Sequence, residues 1–462
     1  MPYFLNARVV FAIPTAVIVW YLVMLARKGI DGLLSPKGMA LIGFLAFFSL
    51  GPILMPDIDP EFYGESQSYV PAASLYLLSI VLFLCGAGLP RIGAPWRRLE
   101  NTLKARCIPR QFGLASAALL VLFLSMAATI GYAVGYSPAV LFYESPYGTA
   151  GSYTAIQAHP TMRYLYSVFV LLPVAVACAS AFVLARPQAK WKWKIVAVLA
   201  LSLATSRVLA AGVRFMFVYT VLGSGLIWWL IKKRDGHHIR SFLVMLGVGA
   251  VTVLVVTQLR DIRGAGGVET VLMGGHEMKG IAGFADTGFD QNLAVKAAQE
   301  LLSQGQPYLW GVSYAAPFVV LMPRQWWPGK PEGADYYLTK TTVTFRNASY
   351  GVIGELYLNG GLFGVIFGML VFGRIAGGWE ETYRRCRQGD VCLLLYGASL
   401  PAFAFEVRGD FTTATSSWLY PCIILLIIGR ICRVRRSGHL PVIIRTPSTS
   451  RRQLLSLPAV LP

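Results

Sequence analysis

The sequence predicts an all-α protein, a polytopic transmembrane helix bundle of about eleven spans with one large extracytoplasmic loop over about residues 260–349. Three observations predict it. Hydrophobic residues make up 55% of the 462-residue chain and charged residues only 14%, and the mean hydropathy is +0.57, a composition made for lipid rather than water. Apolar runs approaching the ~20 residues that cross hydrocarbon recur along the chain. Clusters of Lys and Arg follow every second run.

The runs are 9–26, 38–55, 71–89, 112–134, 162–185, 195–206, 215–231, 241–259, 350–372, 391–407 and 411–428. The sixth is the weakest because it is short, with continuation past Arg207 left open. The first has no basic stretch before a short apolar core and no small-residue cleavage site, so it reads as a retained span rather than a signal peptide.

The formal net charge of +19 raises the question of a nucleic-acid partner, and the placement of the charges answers it. The segments after the odd-numbered spans hold Arg27, Lys28 and Lys37, then Arg91, Arg97, Arg98, Lys104, Arg106 and Arg110, then Arg186, Lys190, Lys192 and Lys194. Further on they hold Lys232, Lys233, Arg234 and Arg240, then Arg374, Arg384, Arg385 and Arg387, and finally Arg430 and the arginines of the tail. By the positive-inside rule these segments are cytoplasmic, with the N-terminus outside and the C-terminus inside. A basic surface confined to membrane-proximal loops fits anionic lipid headgroups, and no nucleic-acid motif is present. Membrane lipids are therefore the expected partner on that side.

The chain divides into spans one to eight (1–259), a lid loop with short helices (260–349), spans nine to eleven (350–430) and a basic, disordered cytoplasmic tail (431–462). Cys85, Cys107, Cys178, Cys386, Cys392, Cys422 and Cys432 all fall on spans or cytoplasmic segments, and their spacing fits neither a disulfide framework nor a metal site. No cofactor is expected. Two external segments, 56–70 and 135–161, carry turn chemistry. The third, of about ninety residues, exceeds ordinary loop lengths and reads as a folded lid. Within it, 286–304 reads as a helix capped by Asp286 or Thr287, with Phe289, Leu293, Ala297, Glu300 and Leu301 on a face suited to the membrane surface. The stretch 311–322 is apolar but too short to span, and Pro323, Pro328 and Pro331 break the helix that follows.

Arginine at the external face is the recurrent chemical feature: Arg207, Arg214, Arg260, Arg263, Arg324, Arg346 and Arg408. A guanidinium binds phosphate oxygens bidentately and keeps its charge, so such a set suits a lipid-linked pyrophosphate. An arginine at a span end also snorkels or pairs with a carboxylate. Arg207 and Arg214 are seven residues apart, which on one helix places them on one face. At the entrance of the ninth span, Glu355, Tyr357 and Asn359 bring together a carboxylate, a phenol and an amide, with Glu355 and Asn359 four apart on one helical face. Glu355 there is either a general base for a sugar hydroxyl, an ion-pair partner for an arginine, or a solvated residue. Asp57-x-Asp59 is a weak metal-binding signal that reads better as an acidic rim. His159 and His276 read as surface residues. The sequon Asn347-Ala-Ser349 lies too close to a span to carry meaning.

These residues resemble the bacterial O-antigen and capsular polysaccharide repeat-unit polymerases of the Wzy type. The likeness rests on the many-spanned topology, Arg207 after a short apolar run, the large late loop, and a succession of motifs. In order these are Gly311-Val-Ser-Tyr314, Pro323-Arg324-Gln-Trp-Trp327-Pro-Gly-Lys330-Pro331, Gly354-Glu355-Leu-Tyr357-Leu-Asn359-Gly-Gly361 and Arg408-Gly-Asp410. The resemblance implies a glycosyltransferase at the outer face of the bacterial inner membrane. Such an enzyme moves a growing glycan from its polyprenyl pyrophosphate carrier onto a single lipid-linked repeat unit, alongside a chain-length regulator. On that reading Glu355 and Arg324 are catalytic, and Arg207, Arg214, Arg260, Arg263, Lys330, Tyr357, Asn359 and Arg408 bind pyrophosphate or glycan. An O-antigen ligase has similar topology and similar external arginines. A flippase for lipid-linked oligosaccharide is the alternative from another class, but its expected internal repeats and mid-membrane polar groups are missing from the sequence.

Overall fold

The computed structural model describes residues 2–50, 53, 70–90, 100–142, 151–211, 214–264, 292–322, 326–338 and 349–433. The main helices are α1 (Pro2–Arg27), α2 (Pro36–Phe44, continued by a π turn at Leu45–Ser49), α3 (Val70–Gly88), α4 (Pro109–Ala133), α5 (Pro160–Ala185), α6 (Trp191–Ala211), α7 (Arg214–Arg234), α8 (His238–Gly264), α9 (Asn292–Ser303), α10 (Val312–Val319), α11 (Gly351–Cys386), α12 (Asp390–Phe405) and α13 (Phe411–Ile431). Among the described residues there is no strand beyond a single isolated bridge between Cys107 and Arg433.

Among the described residues, eight helices are long and apolar enough to cross a membrane. Shorter apolar helical stretches, Pro36–Ser49, Arg240–Thr252 and Asp390–Phe405, fall where the second, eighth and tenth spans are expected. Of these, α12 is the core of the bundle. Every residue from Asp390 to Ala404 is buried, because α2, α7 and α13 surround it. A helix enclosed by protein need not match the bilayer with its own length. Small residues let its neighbours approach: a Cβ on Gly43 of α2 would stand 2.4 Å from the Ala404 carbonyl oxygen. The α3–α11 pair is built likewise, with Gly86 against the Leu370 carbonyl at 2.2 Å and Gly373 against that of Phe83 at 2.0 Å. Close backbone approach of this kind is how helices associate where lipid offers no hydrophobic driving force.

One end of the bundle is laced by ion pairs. Asp390 Oδ1 meets Arg186 and, at 2.7 Å, Arg234, while its Oδ2 accepts the Cys107 N–H at 2.9 Å. Lys233 pairs with Asp31, and Glu380 with Arg384 and with Lys37, the latter at 3.4 Å. All ion pairs between described residues belong to this end, on the segments read as cytoplasmic from their charge.

Four expectations need correction. The sixth helix runs through Arg207 to Ala211 and the next begins at Arg214, so these two arginines lie on separate helices and share no face. The segment 135–161 is not a simple loop: it holds a 3-10 turn, Pro138–Phe142, and a helix, Gly151–Ala158. The apolar face of α9 does not lie on the membrane surface. Ala297, Ala298 and Leu301 are buried against Leu309, Ala334, Tyr350 and Leu358, because the protein offers them a closer apolar partner than the interface does. The ninth span, finally, is not continuous.

Candidate active site at the end opposite the ion pairs

The interruption in α11 comes at Gly360 and Gly361, where the backbone leaves helical geometry and Gly361 takes φ +58°. A Cβ there would also meet the Tyr308 hydroxyl at 2.9 Å, so conformation and space both demand glycine. The break separates a first limb, 351–359, from a long second limb, 362–386, and the first folds back on the second. Leu356 stands so close that a Cβ on Gly364 would be 2.3 Å from its carbonyl oxygen, and one on Gly368 would overlap its side chain. Eight residues along an uninterrupted helix lie about 12 Å apart, so only a reversal brings these atoms together.

The reversed limb carries Glu355, Tyr357 and Asn359. Glu355 is 1% exposed. Its Oε1 accepts the Ser313 hydroxyl at 2.6 Å and its Oε2 accepts the Phe411 N–H at 2.6 Å. Phe411 is the first residue of α13, and its amide is one of the donors that a helix start leaves without an internal partner. Asp410 caps that helix by accepting the Thr413 N–H at 3.1 Å. The carboxylate thus sits on the positive end of a helix dipole.

Asn359 completes the arrangement. Its Nδ2 donates to Ser313 Oγ and to the Glu355 carbonyl, both at 2.8 Å, and its Oδ1 accepts the Gly311 N–H at 2.8 Å. Glu355 and Asn359 therefore do share one face, as their spacing predicts. Tyr357 is half-buried beside the Leu309–Tyr350 cluster.

The cover over this group is α10. Trp310 and Gly311 lead into it with φ +48° and +85°, a sharp turn fixed by Leu309 N–H to the Leu358 carbonyl and Trp310 N–H to that of Asn359, at 3.2 and 3.0 Å. Tyr314 lays its ring edge-on to Phe411 at 4.9 Å. Tyr420 of α13 donates to the Pro317 carbonyl at 2.8 Å. Val312, Phe318, Trp310 and Trp326 are exposed at 45%, 63%, 78% and 77%, an aromatic, apolar rim of the kind found at bilayer interfaces.

A second buried carboxylate, Glu406, lies in the connection from α12 to α13 and accepts from Thr415 Oγ1 and Trp418 Nε1, both at 2.8 Å. Burial pushes it up to about 8, against the lowering effect of those two donors and with a further push from Asp410. Among the described residues no Lys or Arg pairs with Glu355, Glu406 or Asp410.

The remaining expected site residues are dispersed. Arg207 is 2% exposed, donates to the Tyr166 hydroxyl and stacks on Tyr166 and Phe169 at 5.5 and 5.6 Å, with no contact to the Glu355 group. Lys330 donates to the Val320 and Met322 carbonyls at 3.1 and 2.9 Å, just past the end of α10. Arg408 lies over Phe47 at 5.7 Å, and its carbonyl accepts from Ser349. Arg214 starts α7, and Arg260 and Arg263 lie in α8; their side chains are outside the described residues, as are Arg324, Arg346, Asp57, Asp59 and His276 entirely. Ser313, the Phe411 amide and Glu406 were given no role from the sequence. For Glu406 a signal existed, since an acid within an apolar run is a functional candidate in its own right. For the Phe411 amide the signal was Asp410 ahead of an apolar run, a helix-start pattern.

Apolar helices long enough to cross a membrane, with a buried carboxylate under a short helix at one end of the bundle, define a multi-pass membrane protein. The sequence model of one family, O-antigen polysaccharide polymerase Wzy, matches residues 348–435, which run from just before α11 to the end of α13 and include Glu355, Asn359, Glu406 and Asp410. This match bears out the Wzy-type resemblance and, with the membrane helices, supports a membrane O-antigen polymerase. No curated protein and no solved structure matches the chain.

Proposed function

We propose that the protein polymerises polyprenyl-pyrophosphate-linked oligosaccharide repeat units at the outer face of the bacterial inner membrane, with Glu355 as the general base. The observation that carries this is Glu355 itself: a buried carboxylate that, among the described residues, is met by neutral donors, inside the region that matches the Wzy family. A base must stand free of a neutralising cation and within hydrogen-bond reach of a hydroxyl. Among the described residues Glu355 meets no cation, and the hydroxyl of Ser313 on its Oε1 shows that an alcohol fits there, which favours the base over the ion-pair partner.

In the step we propose, the hydroxyl of the incoming repeat unit gives its proton to Glu355, and its oxygen bonds to the anomeric carbon of the growing glycan. The bond from that carbon to pyrophosphate breaks, and polyprenyl pyrophosphate leaves with the electron pair. Arg214, Arg260, Arg263, Arg324 and Lys330 are the cations proposed to hold the leaving group, with Arg207, Arg408, Tyr357 and Asn359 toward the glycan. This reading sets the ion-paired end in the cytoplasm and the lid in the periplasm, and leaves room for a chain-length regulator.

The test is glycan analysis in a deletion strain complemented with variants. Loss of the long ladder with one repeat unit still attached to its final acceptor is the polymerase outcome. Polymer retained on the polyprenyl carrier means a ligase, and single units trapped on the cytoplasmic leaflet mean a flippase. Glu355→Gln keeps an oxygen for the Ser313 hydroxyl and removes the base; it is expected to slow chain extension about 100-fold or more. Full-length chains from Glu355→Gln or Arg324→Ala at normal protein level overturn the assignment.

A further inference from the structure

A carboxylate sealed under a lid meets a sugar hydroxyl only if something already on it leaves. Two groups occupy Glu355. One is the Phe411 amide, fixed in the first turn of α13. The other is the hydroxyl of Ser313, carried by α10, an eight-residue helix. Ser313 Oγ gives its proton toward Glu355 Oε1 at 2.6 Å and accepts from Asn359 Nδ2 at 2.8 Å. That is the environment an attacking alcohol needs: a base on its hydrogen, a donor fixing one lone pair, and the other lone pair left for the electrophile.

We propose that Ser313 holds the place of the acceptor hydroxyl, and that α10 is a latch which lifts to let the incoming sugar exchange its hydroxyl for that of Ser313. The proposal rests on the polymerase reading for the identity of the incoming alcohol, but not for the latch itself. Beyond Ser313, few polar ties hold α10. The Thr412 hydroxyl reaches the Ser313 carbonyl at a long 3.4 Å, Tyr420 reaches Pro317, and Lys330 reaches the carbonyl of Val320 at the helix end. Its outer face, with Val312 and Phe318, is exposed. The turn at Trp310 and Gly311 stays anchored through Leu309 and Trp310 to the first limb of α11, which gives the lid a fixed hinge. The inner face of α10 is buried at Ser313, Ala316 and Pro317, and Tyr314 packs on Phe411, but a short helix with an exposed outer face is the kind of element that opens locally at less than the cost of global unfolding.

Asn359 is a positioning residue in this scheme. It orients whichever hydroxyl sits on Glu355, and it holds the hinge through Gly311.

The experiment uses the full chain in nanodiscs, with hydrogen exchange of the 311–319 amides and turnover of lipid-linked repeat units extracted from cells lacking the protein. Ser313→Ala removes the occupant and its hydrogen bond to Oε1 while leaving the Glu355 carboxylate and its Phe411 donor in place. It is expected to speed exchange of those amides about tenfold and to lower the KM for the extracted units by a similar factor, with kcat retained; this is the scale of one hydrogen bond to a charged group acting through the competent fraction. Tyr420→Phe is the second variant and shifts exchange in the same direction, so the test survives if Ser313→Ala accumulates poorly. Unchanged exchange in both variants overturns the latch, whether or not chains grow. A collapse of kcat at unaltered KM in Ser313→Ala also overturns it, by making Ser313 part of the chemistry. Wild-type protein that never extends the units, beside a faster-exchanging Ser313→Ala, overturns the polymerase reading and leaves the latch standing.

Discussion

Glu406 and Glu355 are both buried and neither pairs with a cation among the described residues, yet only Glu406 is tied entirely within its own segment, to Thr415 and Trp418. Its carboxyl is raised from 4.5 to about 8, chiefly by burial. Between those values the folded protein keeps a proton that the unfolded chain has released. Stability contributed by the neutral form is therefore complete below about 4.5 and lost as pH rises toward 8. The thermal midpoint in detergent is expected to fall from pH 5 to pH 8. Glu406→Gln, which keeps the accepting oxygen and removes the titration, is expected to flatten that slope and to be the more stable form at pH 8. A slope unaltered by Glu406→Gln would assign the dependence to another group. At this scale the sequence was legible where partners are close along the chain: Glu355 and Asn359 could be paired by their spacing of four. Ser313 was not, because it lies 42 residues from Glu355 and only the folding back of α11 brings it there.

That folding back is a property of an element, and hydropathy is blind to it. The residues from Tyr350 to Phe372 form one apolar run, and an apolar run looks the same whether it crosses the bilayer once or reverses first. What records the reversal is glycine: Gly361 for its positive φ, and Gly364 and Gly368 for the space Leu356 takes. Gly364→Ala sets a methyl against a backbone carbonyl, which has no rotamer to escape to, so the limb must move. Overpacking of this kind costs about 1–3 kcal/mol. The variant is expected to insert in the membrane normally, to lose thermal stability in detergent, and to make short glycans because Glu355 no longer aligns with Phe411. Normal ladders from Gly364→Ala would show that the site tolerates displacement of the limb. The helical period of α9 was legible in its apolar spacing over 292–303, with Asp286, Thr287 and Phe289 outside the described residues, but its environment was not. An apolar face reports that it will be covered, and only the fold decides by what.

At the scale of the molecule, charge is sorted by end. Ion pairs between described residues gather where Arg186, Arg234 and Asp390 meet, while Glu355, Glu406 and Asp410 lie at the other end and pair with no cation among the described residues. This sorting was legible from the alternation of basic segments, since the rule that sets orientation counts residues near span ends and needs no tertiary contact. The number of spans was less so, because a short helix such as α12 is carried by its neighbours rather than by its own length. The orientation has a direct test. Trp326→Cys lies on the exposed rim of the lid and Lys190→Cys on the exposed turn between α5 and α6, at opposite ends of the bundle. With an impermeant maleimide on intact spheroplasts, Trp326→Cys is expected to label at once and Lys190→Cys only after lysis. Wild-type protein serves as the control, because all seven native cysteines are free thiols and Cys85 is exposed. The reverse pattern would turn Glu355 and the lid toward the cytosol. Repeat units displayed on the outer leaflet would then be out of reach, and a polymerase working there would need its base elsewhere in the chain.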